Sequence, residues 1–166
     1  PATRAGGRAT ARVDAAAVAV SSAVVAALPK SARGRTCASP HGIDPARIAE
    51  ARAGARQSTD ATGPVTVVTV ASHRDAKNYP NLLRAVRRAI DDGATLRLVT
   101  IGDGPALGAH IELARTLGLE DAVDFMPAIE DVLDDIAAAD VFVVASDYEG
   151  QPLVVAEALA LGVPVV

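Results

Sequence analysis

The run VFVVASDYEGQPLVVAEALALGVPVV, residues 141–166, contains a strand, a loop, a helix and the opening of a second strand. Residues 141–145 are short, apolar and largely β-branched, as expected of a strand buried on both faces. The loop 146–152 is polar and carries Gly150 and Pro152. A helix is predicted over 152–161, with proline at its start and Gly162 just past its end, the usual asymmetry of helix termini. Residues 163–166 then resume an apolar strand pattern. A strand that needs cover on both sides, followed at once by a helix able to supply it, is one βαβ unit.

Working outward, the same alternation repeats. Residues 65–71 (VTVVTVA) read as a buried strand, and a helix is predicted over 78–90. In that helix Leu82, Leu83, Val86 and Ile90 share one face, Arg84, Arg87 and Arg88 turn to water, and Gly93 follows the end. A strand over 95–101, a helix over 106–117 closed by Gly118, a strand over 122–126 and a helix over 129–139 complete the series. Such alternation predicts an α/β fold, a Rossmann-like parallel sheet with helices on both faces. Upstream the pattern is weaker: a strand over 15–20, a helix over 22–28 with a Ser cap, a strand over 35–38, a turn at 40–44, a helix over 45–56 and a polar linker over 57–64. No internal repeat is visible.

Composition narrows the function classes. Half the residues are hydrophobic and the net charge is −4, so there is core material but no basic stripe for nucleic acid. The longest apolar runs are interrupted by Asp14, Ser21, Ser22 and Glu157, so none reaches the ~18 uncharged residues of a membrane span. Cys37 stands alone and reads as a small buried apolar residue in a reducing compartment, which points to the cytoplasm. The chain opens at Pro1 without Met and stops within an apolar run, which suggests a piece of a longer protein.

In open parallel sheets ligands bind at the carboxyl ends of strands, so the loops after each strand are the places to look for chemistry. Glu149 lies in the loop 146–152, and Glu157 lies on the second turn of a helix whose other residues over 153–161 are all apolar, so that helix is expected to be buried on most sides. A carboxylate in such surroundings is costly unless something hydrogen-bonds it. Vicinal ribose hydroxyls would suit Glu157, and the free amides of the helix start would attract a phosphate. The plainer alternative puts Glu157 on a narrow solvent-facing stripe, and Glu149 by itself is unremarkable. Lys77, in the loop after 65–71, would on its own be a solvated surface lysine. Gly102-Asp103-Gly104-Pro105 forms a tight turn. It also begins a loose dinucleotide fingerprint, Gly102-x-Gly104-x-x-x-Gly108, which requires an acid ending the next strand. That strand ends in Phe125-Met126-Pro127, so the structural turn is the stronger reading. The side chain of Phe125 reads as a core aromatic.

Taken together, Ser146-x-x-Glu149-Gly150-x-Pro152-Leu153-x-x-x-Glu157-Ala158, followed by Gly162-Val163-Pro164, resembles the E-x7-E signature of retaining GT-B glycosyltransferases. This is the large family of mannosyl- and glucosyltransferases, glycogen synthases and sucrose synthases. The loop from Ser72 to Tyr79 resembles the family's G-R-L-x-x-x-K-N, with Lys77 on the lysine, Ser72 where arginine is usual, and Arg74 two positions on as a substitute charge. Gly102 to Pro105 resembles G-D-G-P, and residues 123–127 resemble V-x-F-x-G with Pro127 for the glycine. Residues 14–21 resemble D-x-V-I-x-V-S, and residues 40–44 resemble P-N-G-V-D with His41 for asparagine.

The resemblance implies one half of a GT-B architecture. Residues 1–21 would be a remnant of the acceptor domain and the crossing, and residues 22–166 an incomplete donor domain with its core at 64–166. A UDP- or GDP-linked sugar would be the donor, with no cofactor and no metal. Ser72, Arg74, Lys77, Met126, Glu149, Gly150, Gln151, Pro152, Leu153 and Glu157 would line its site. Lys77 and Glu149 would be catalytic, with Lys77 on the diphosphate, Glu149 on the sugar and Glu157 on the ribose. The loop at Met126 would lie against the base. The acceptor, a carbohydrate or lipid, would belong to the other domain, which could make peripheral contact with the inner face of a membrane. Three alternatives remain open at this point: a sugar epimerase of related fold, a dinucleotide oxidoreductase, and a non-catalytic sugar-nucleotide-binding module.

Overall fold

The computed structural model describes residues 16–54 and 63–166. Residues 57–62 of the linker expected over 57–64, the last two residues of the helix expected over 45–56, the expected start of the first strand at residue 15 and Asp14 of the segment 14–21 lie outside those residues. The chain forms two units, residues 1–42 with 149–153, and residues 43–148 with 154–166.

The smaller unit contains β1 (Ala17–Ala19), α1 (Ser22–Ala27), α2 (Lys30–Arg33) and β2 (Thr36–Ala38). β1 and β2 pair in parallel, Ala17 opposite Thr36 and Ala19 opposite Ala38. Ser21 caps α1, its hydroxyl accepting the Val24 amide at 3.2 Å, which satisfies one of the orphan donors at a helix start. The single turn α2 has no apolar period that would announce it. It is closed by Arg33, whose guanidinium donates to the carbonyls of Leu28 at 2.8 Å and Ala26 at 2.6 Å. Cys37, expected in a core, is exposed. It lies on a three-residue strand of a two-stranded sheet, and only Thr36 of that strand is even half-buried.

The larger unit contains α3 (Pro45–Gly54), β3 (Val65–Val70), α4 (Tyr79–Asp91), β4 (Leu96–Ile101), α5 (Leu107–Thr116), β5 (Val123–Met126), α6 (Leu133–Ala137), β6 (Val141–Phe142) and all but the first residue of α7, which runs over Leu153–Leu161. All strand pairs are parallel, in the order β5-β4-β3-β6. Successive strand residues point to opposite faces, and two cores result. Val68, Ile101 and Phe142 meet α3, α6 and α7 through Ile48, Ala51, Leu133, Ile136, Ala158 and Leu161. Leu98 and Val123 meet α4 and α5 through Tyr79, Leu82, Leu83, Val86 and Ala114. The parallel sheet therefore has helices on both faces, as the alternation of patterns predicts. Phe125 packs against the second core.

Three expectations need correction. β6 is two residues long, not five: Val143 still donates to Val68, but Val144 turns its amide to Val166 at 2.8 Å. The final strand, which lies on the other side of β6, forms only an isolated parallel bridge between Phe142 and Val165. The helix expected over 129–139 starts only at Leu133, because the preceding amides serve turns. Ala128 donates to the Asp103 carboxylate at 3.0 Å and Leu133 to that of Asp131 at 3.1 Å. α7 is not enclosed on most sides: Ala158 and Leu161 are buried, whereas Leu159 is 62% exposed. At about 100° per residue, one apolar face meets the core and the next points away. No helix among the described residues is long and apolar enough to cross a membrane.

Candidate functional site

From β3 the sheet steps outward to β4 and β5, and the chain then returns to place β6 on the opposite side of β3. That reversal is the topological switch point at which open α/β sheets bind their ligands. The loop leaving β3 carries Ser72, half-buried, and Arg74, exposed, before a 3-10 turn over Asp75–Lys77. Lys77 is half-buried at the end of that turn. Asn78 follows in the left-handed region, φ 49°, and α4 starts immediately after it. Two bonds tie this turn to the loop after β6. The Asp147 amide donates to the Ala76 carbonyl at 3.0 Å, and the Asn78 side-chain amide donates to the Asp147 carboxylate at 2.7 Å.

Beneath the turn is a buried polar cluster that the sequence patterns did not single out. His73 is wholly buried and stacks on Tyr79 with ring centroids 4.0 Å apart. Its Nδ1 lies 2.9 Å from Nδ1 of His110, which is also buried, on α5. The Tyr79 hydroxyl donates to the Ala71 carbonyl at 2.8 Å. Burial holds both histidines below the ordinary imidazole value; His110 adds to this at His73, and Asp103 opposes it. At His110 the opposing charge is Asp75. Burial likewise pushes the Tyr79 phenol up. The one available sequence signal was helical spacing, which puts His110 on the same inner face as Ala114.

Gly102 and Gly104 allow the neighbouring loop to lie directly on this segment. A Cβ on Gly102 would stand 2.2 Å from the Ala71 carbonyl oxygen, and one on Gly104 would stand 2.4 Å from that of His73. The contact is fastened by the His73 amide donating to the Asp103 carbonyl at 3.0 Å, and by the Ala106 amide donating to the His73 carbonyl at 3.1 Å. Asp103 also holds the Ala128 amide through its carboxylate, so one residue joins the loops after β3, β4 and β5. The turn reading of this motif therefore has a physical cause, backbone packed on backbone. A hollow of about 250 Å³ opens at these strand ends, lined by Ser72, Gly102, Asp103, Ala128, Ile129 and Val132 among others. Met126 is partly exposed at the end of β5.

Glu157 is half-buried on α7 and makes no hydrogen bond among the described residues. Desolvation raises its pKa, the Arg47 charge opposes the rise, and Asp131 adds to it. Arg47 on α3 donates to the Asp131 carboxylate at 2.6 Å, and this bond holds Asp131 below the usual carboxylate range. Ser72, Arg74, Lys77, Met126 and Glu157 all belong to the larger unit, whereas Glu149, Gly150, Gln151, Pro152 and Leu153 belong to the smaller. Within the smaller unit, the Gln151 side-chain oxygen accepts the His41 amide at 2.9 Å. A Cβ on Gly150 would come to 3.1 Å from the Val20 side chain. The loop 149–153 thus meets Val20 and His41, one residue from each of the two upstream segments that share its family resemblance.

Comparison with known proteins bears on the family and the fold. Residues 64–166 match the family described as glycosyl transferases group 1. The D-inositol 3-phosphate glycosyltransferase of Rhodococcus erythropolis is 34% identical over 149 residues, covering 76% of this chain and 34% of that protein. The alpha-monoglucosyldiacylglycerol synthase of Streptococcus pneumoniae is 34% identical over 106 residues, 63% of this chain and 24% of that one. The chain therefore spans about a quarter to a third of these relatives. Among solved structures, HepE of Anabaena in complex with UDP-glucose superposes with a TM-score of 0.78 at 20% identity, over 95% of this chain and 48% of that one. S. aureus TarM superposes with 0.73 at 13% identity, over 93% and 30%. A match over residues 64–166, which include the whole four-stranded parallel sheet, places the chain in the glycosyl transferases group 1 family.

Proposed function

We propose that this chain forms the donor half of an enzyme that moves a sugar from a nucleoside-diphosphate sugar to a carbohydrate or lipid acceptor, with anomeric configuration retained. The observation that carries this reading is Glu157, a half-buried carboxylate on an apolar helix with no hydrogen-bond partner among the described residues. Such a group is costly unless a ligand completes it, and a ribose diol donates two hydroxyls to one carboxylate. Relatives add support: HepE has been crystallised with UDP-glucose and TarM with UDP.

The roles follow from charge. Lys77, on the turn at the switch point, neutralises the diphosphate, with Arg74 in place of the arginine that Ser72 lacks. The amides of Gly150, Gln151 and Leu153 add their dipoles. As the bond to the sugar breaks, negative charge grows on the leaving diphosphate, and groups already aimed there lower the barrier. Glu149 contacts the sugar. The apolar hollow beside Ile129 and Val132 takes the base. Pro127 has no amide hydrogen, and the Ala128 amide already donates to Asp103, so side chains and carbonyls must supply most of the base recognition there. The scheme requires no metal, because lysine and helix-start amides carry the phosphate charge.

The test is thermal stabilisation of the full-length protein by UDP-, GDP- and ADP-sugars, since a ligand that binds only the folded state must raise its stability. Wild type stabilised by at least one donor, with the shift lost in Glu157→Gln, supports the reading. No shift with any donor refutes it.

A further inference from the structure

The two bonds from Asp147 flank Lys77 on either side. Ala76, just before it, is held through its carbonyl by the Asp147 amide at 3.0 Å. Asn78, just after it, is held through its side chain by the Asp147 carboxylate at 2.7 Å. Asn78 is also the only described non-glycine residue at positive φ, 49°. A left-handed asparagine is uncommon enough to need a reason. Here the conformation closes the 3-10 turn, with the Asn78 amide donating to Asp75, and delivers the side chain to Asp147.

From this geometry we infer that Asp147 and Asn78 form a clasp that positions Lys77, and that the clasp sets the affinity for the donor diphosphate. The inference rests on the proposed role of Lys77 and extends it to two residues that touch no substrate. A lysine side chain has many rotamers, so the entropy of holding its amine at a phosphate falls if its backbone is already fixed. Fixing only one flank would leave the turn free to rotate about the other. Asp147 fixes both, and because it stands in the loop leaving β6, it also sets that loop against the loop leaving β3 across the switch point. The bond is charge-assisted, a carboxylate accepting from an amide, and is therefore among the stronger side-chain hydrogen bonds.

The experiment uses the full-length protein with UDP, GDP and ADP as probes, affinity measured by calorimetry and folding by thermal melt. Asn78→Gly removes the side-chain bond but tolerates the left-handed backbone and leaves the net charge unchanged. Asn78→Asp sets two carboxylates against each other. The exchange Asn78→Asp with Asp147→Asn rebuilds the bond with its direction reversed. A charge-assisted hydrogen bond is worth a factor of about ten or more, so each single Asn78 variant is expected to weaken nucleotide binding about tenfold with little change in melting temperature. The exchange should restore affinity to within about threefold of wild type. If wild type binds a nucleotide and the Asn78 variants bind it equally well, the clasp is refuted while the donor reading stands. If affinity and melting temperature fall together, the clasp only holds up the fold and the positioning role is wrong. If wild type binds none of the three nucleotides, the donor reading fails and the inference falls with it.

Discussion

Substituting Gly104 with alanine tests whether the loops after β3 and β4 are held by close backbone packing. The added Cβ would lie 2.4 Å from the His73 oxygen and 2.7 Å from its nitrogen, where ordinary contact begins at 3.4 Å. The opposing atoms are backbone, so no side chain can swing aside, and the two segments must separate by about an ångström. That separation takes the His73–Asp103 and Ala106–His73 bonds, now 3.0 and 3.1 Å, to about 4 Å, beyond hydrogen-bonding range. Losing two such bonds costs about 1 kcal/mol each, and residual overpacking adds about 1–3 kcal/mol. The expected loss is about 3–5 kcal/mol, or roughly 6–20 °C in melting temperature for a domain of this size. Gly108→Ala is the internal control. Gly108 lies in α5 with nothing within 4 Å of its Cβ position, so alanine there should stabilise by about 0.5–1 kcal/mol through helix propensity. Urea denaturation of both variants in the full-length protein measures the difference. If Gly104→Ala stays within about 0.5 kcal/mol of wild type, or the two variants move in the same direction, the close-packing argument is wrong.

Three further outcomes are expected. Because burial holds His73 and His110 below their ordinary value, the fold favours their neutral forms; the stability they contribute is complete above about pH 6.5 and declines below it as the unfolded chain takes up protons first. Thermal melts between about pH 8 and 5 should show this decline, and His73→Leu should flatten it, since the groups facing the pair, Asp103, Asp75 and Tyr79, remain in place. Lys77→Ala or Glu149→Ala in the full-length enzyme should lower turnover by orders of magnitude with the melting temperature unchanged, and near-normal rates in both would remove these residues from the mechanism. Glu157→Gln should weaken donor binding about 10- to 100-fold, the worth of hydrogen bonds to a charged acceptor, as measured by calorimetry. If that variant binds donor as tightly as wild type, Glu157 returns to the solvent-stripe reading.

The parallel architecture was legible because its signals are local. Each of β3, β4 and β5 is a run of alternating or continuous apolar residues, and α4 and α5 carry their apolar stripe within one or two residues of the observed ends. Where a boundary depended on a partner, the sequence misled. The run from Val141 to Ala145 has strand composition throughout, yet its ladder to β3 ends after Val143 donates to Val68. Asp131 stands inside a pattern that reads as helix, but its carboxylate takes the Leu133 amide and starts α6 there. Cys37 was misplaced for a similar reason: burial is a property of the sheet's neighbours, and a two-stranded sheet has few.

The same distinction separates the candidate site residues. Glu157 could be picked out because its neighbours in sequence are its neighbours on the helix, so an acid among apolar residues declares its own desolvation before any fold is known. Gly104 could be picked out as a turn, but not as a contact, since what it approaches is His73, thirty-one positions earlier in the chain. Asp147 gave no sign at all. It is an exposed acid in a polar loop, and sixty-nine residues separate it from Asn78. Its significance arises only when the sheet brings β3 and β6 side by side and their two loops emerge together. A switch point works as a binding site for that reason: strand order, and not proximity in sequence, decides which loops can hold one another and a ligand. Of the residues proposed to act at that site, Glu157 carries a local chemical signal, while Asp147, proposed to hold the turn at Lys77, carries one only in three dimensions.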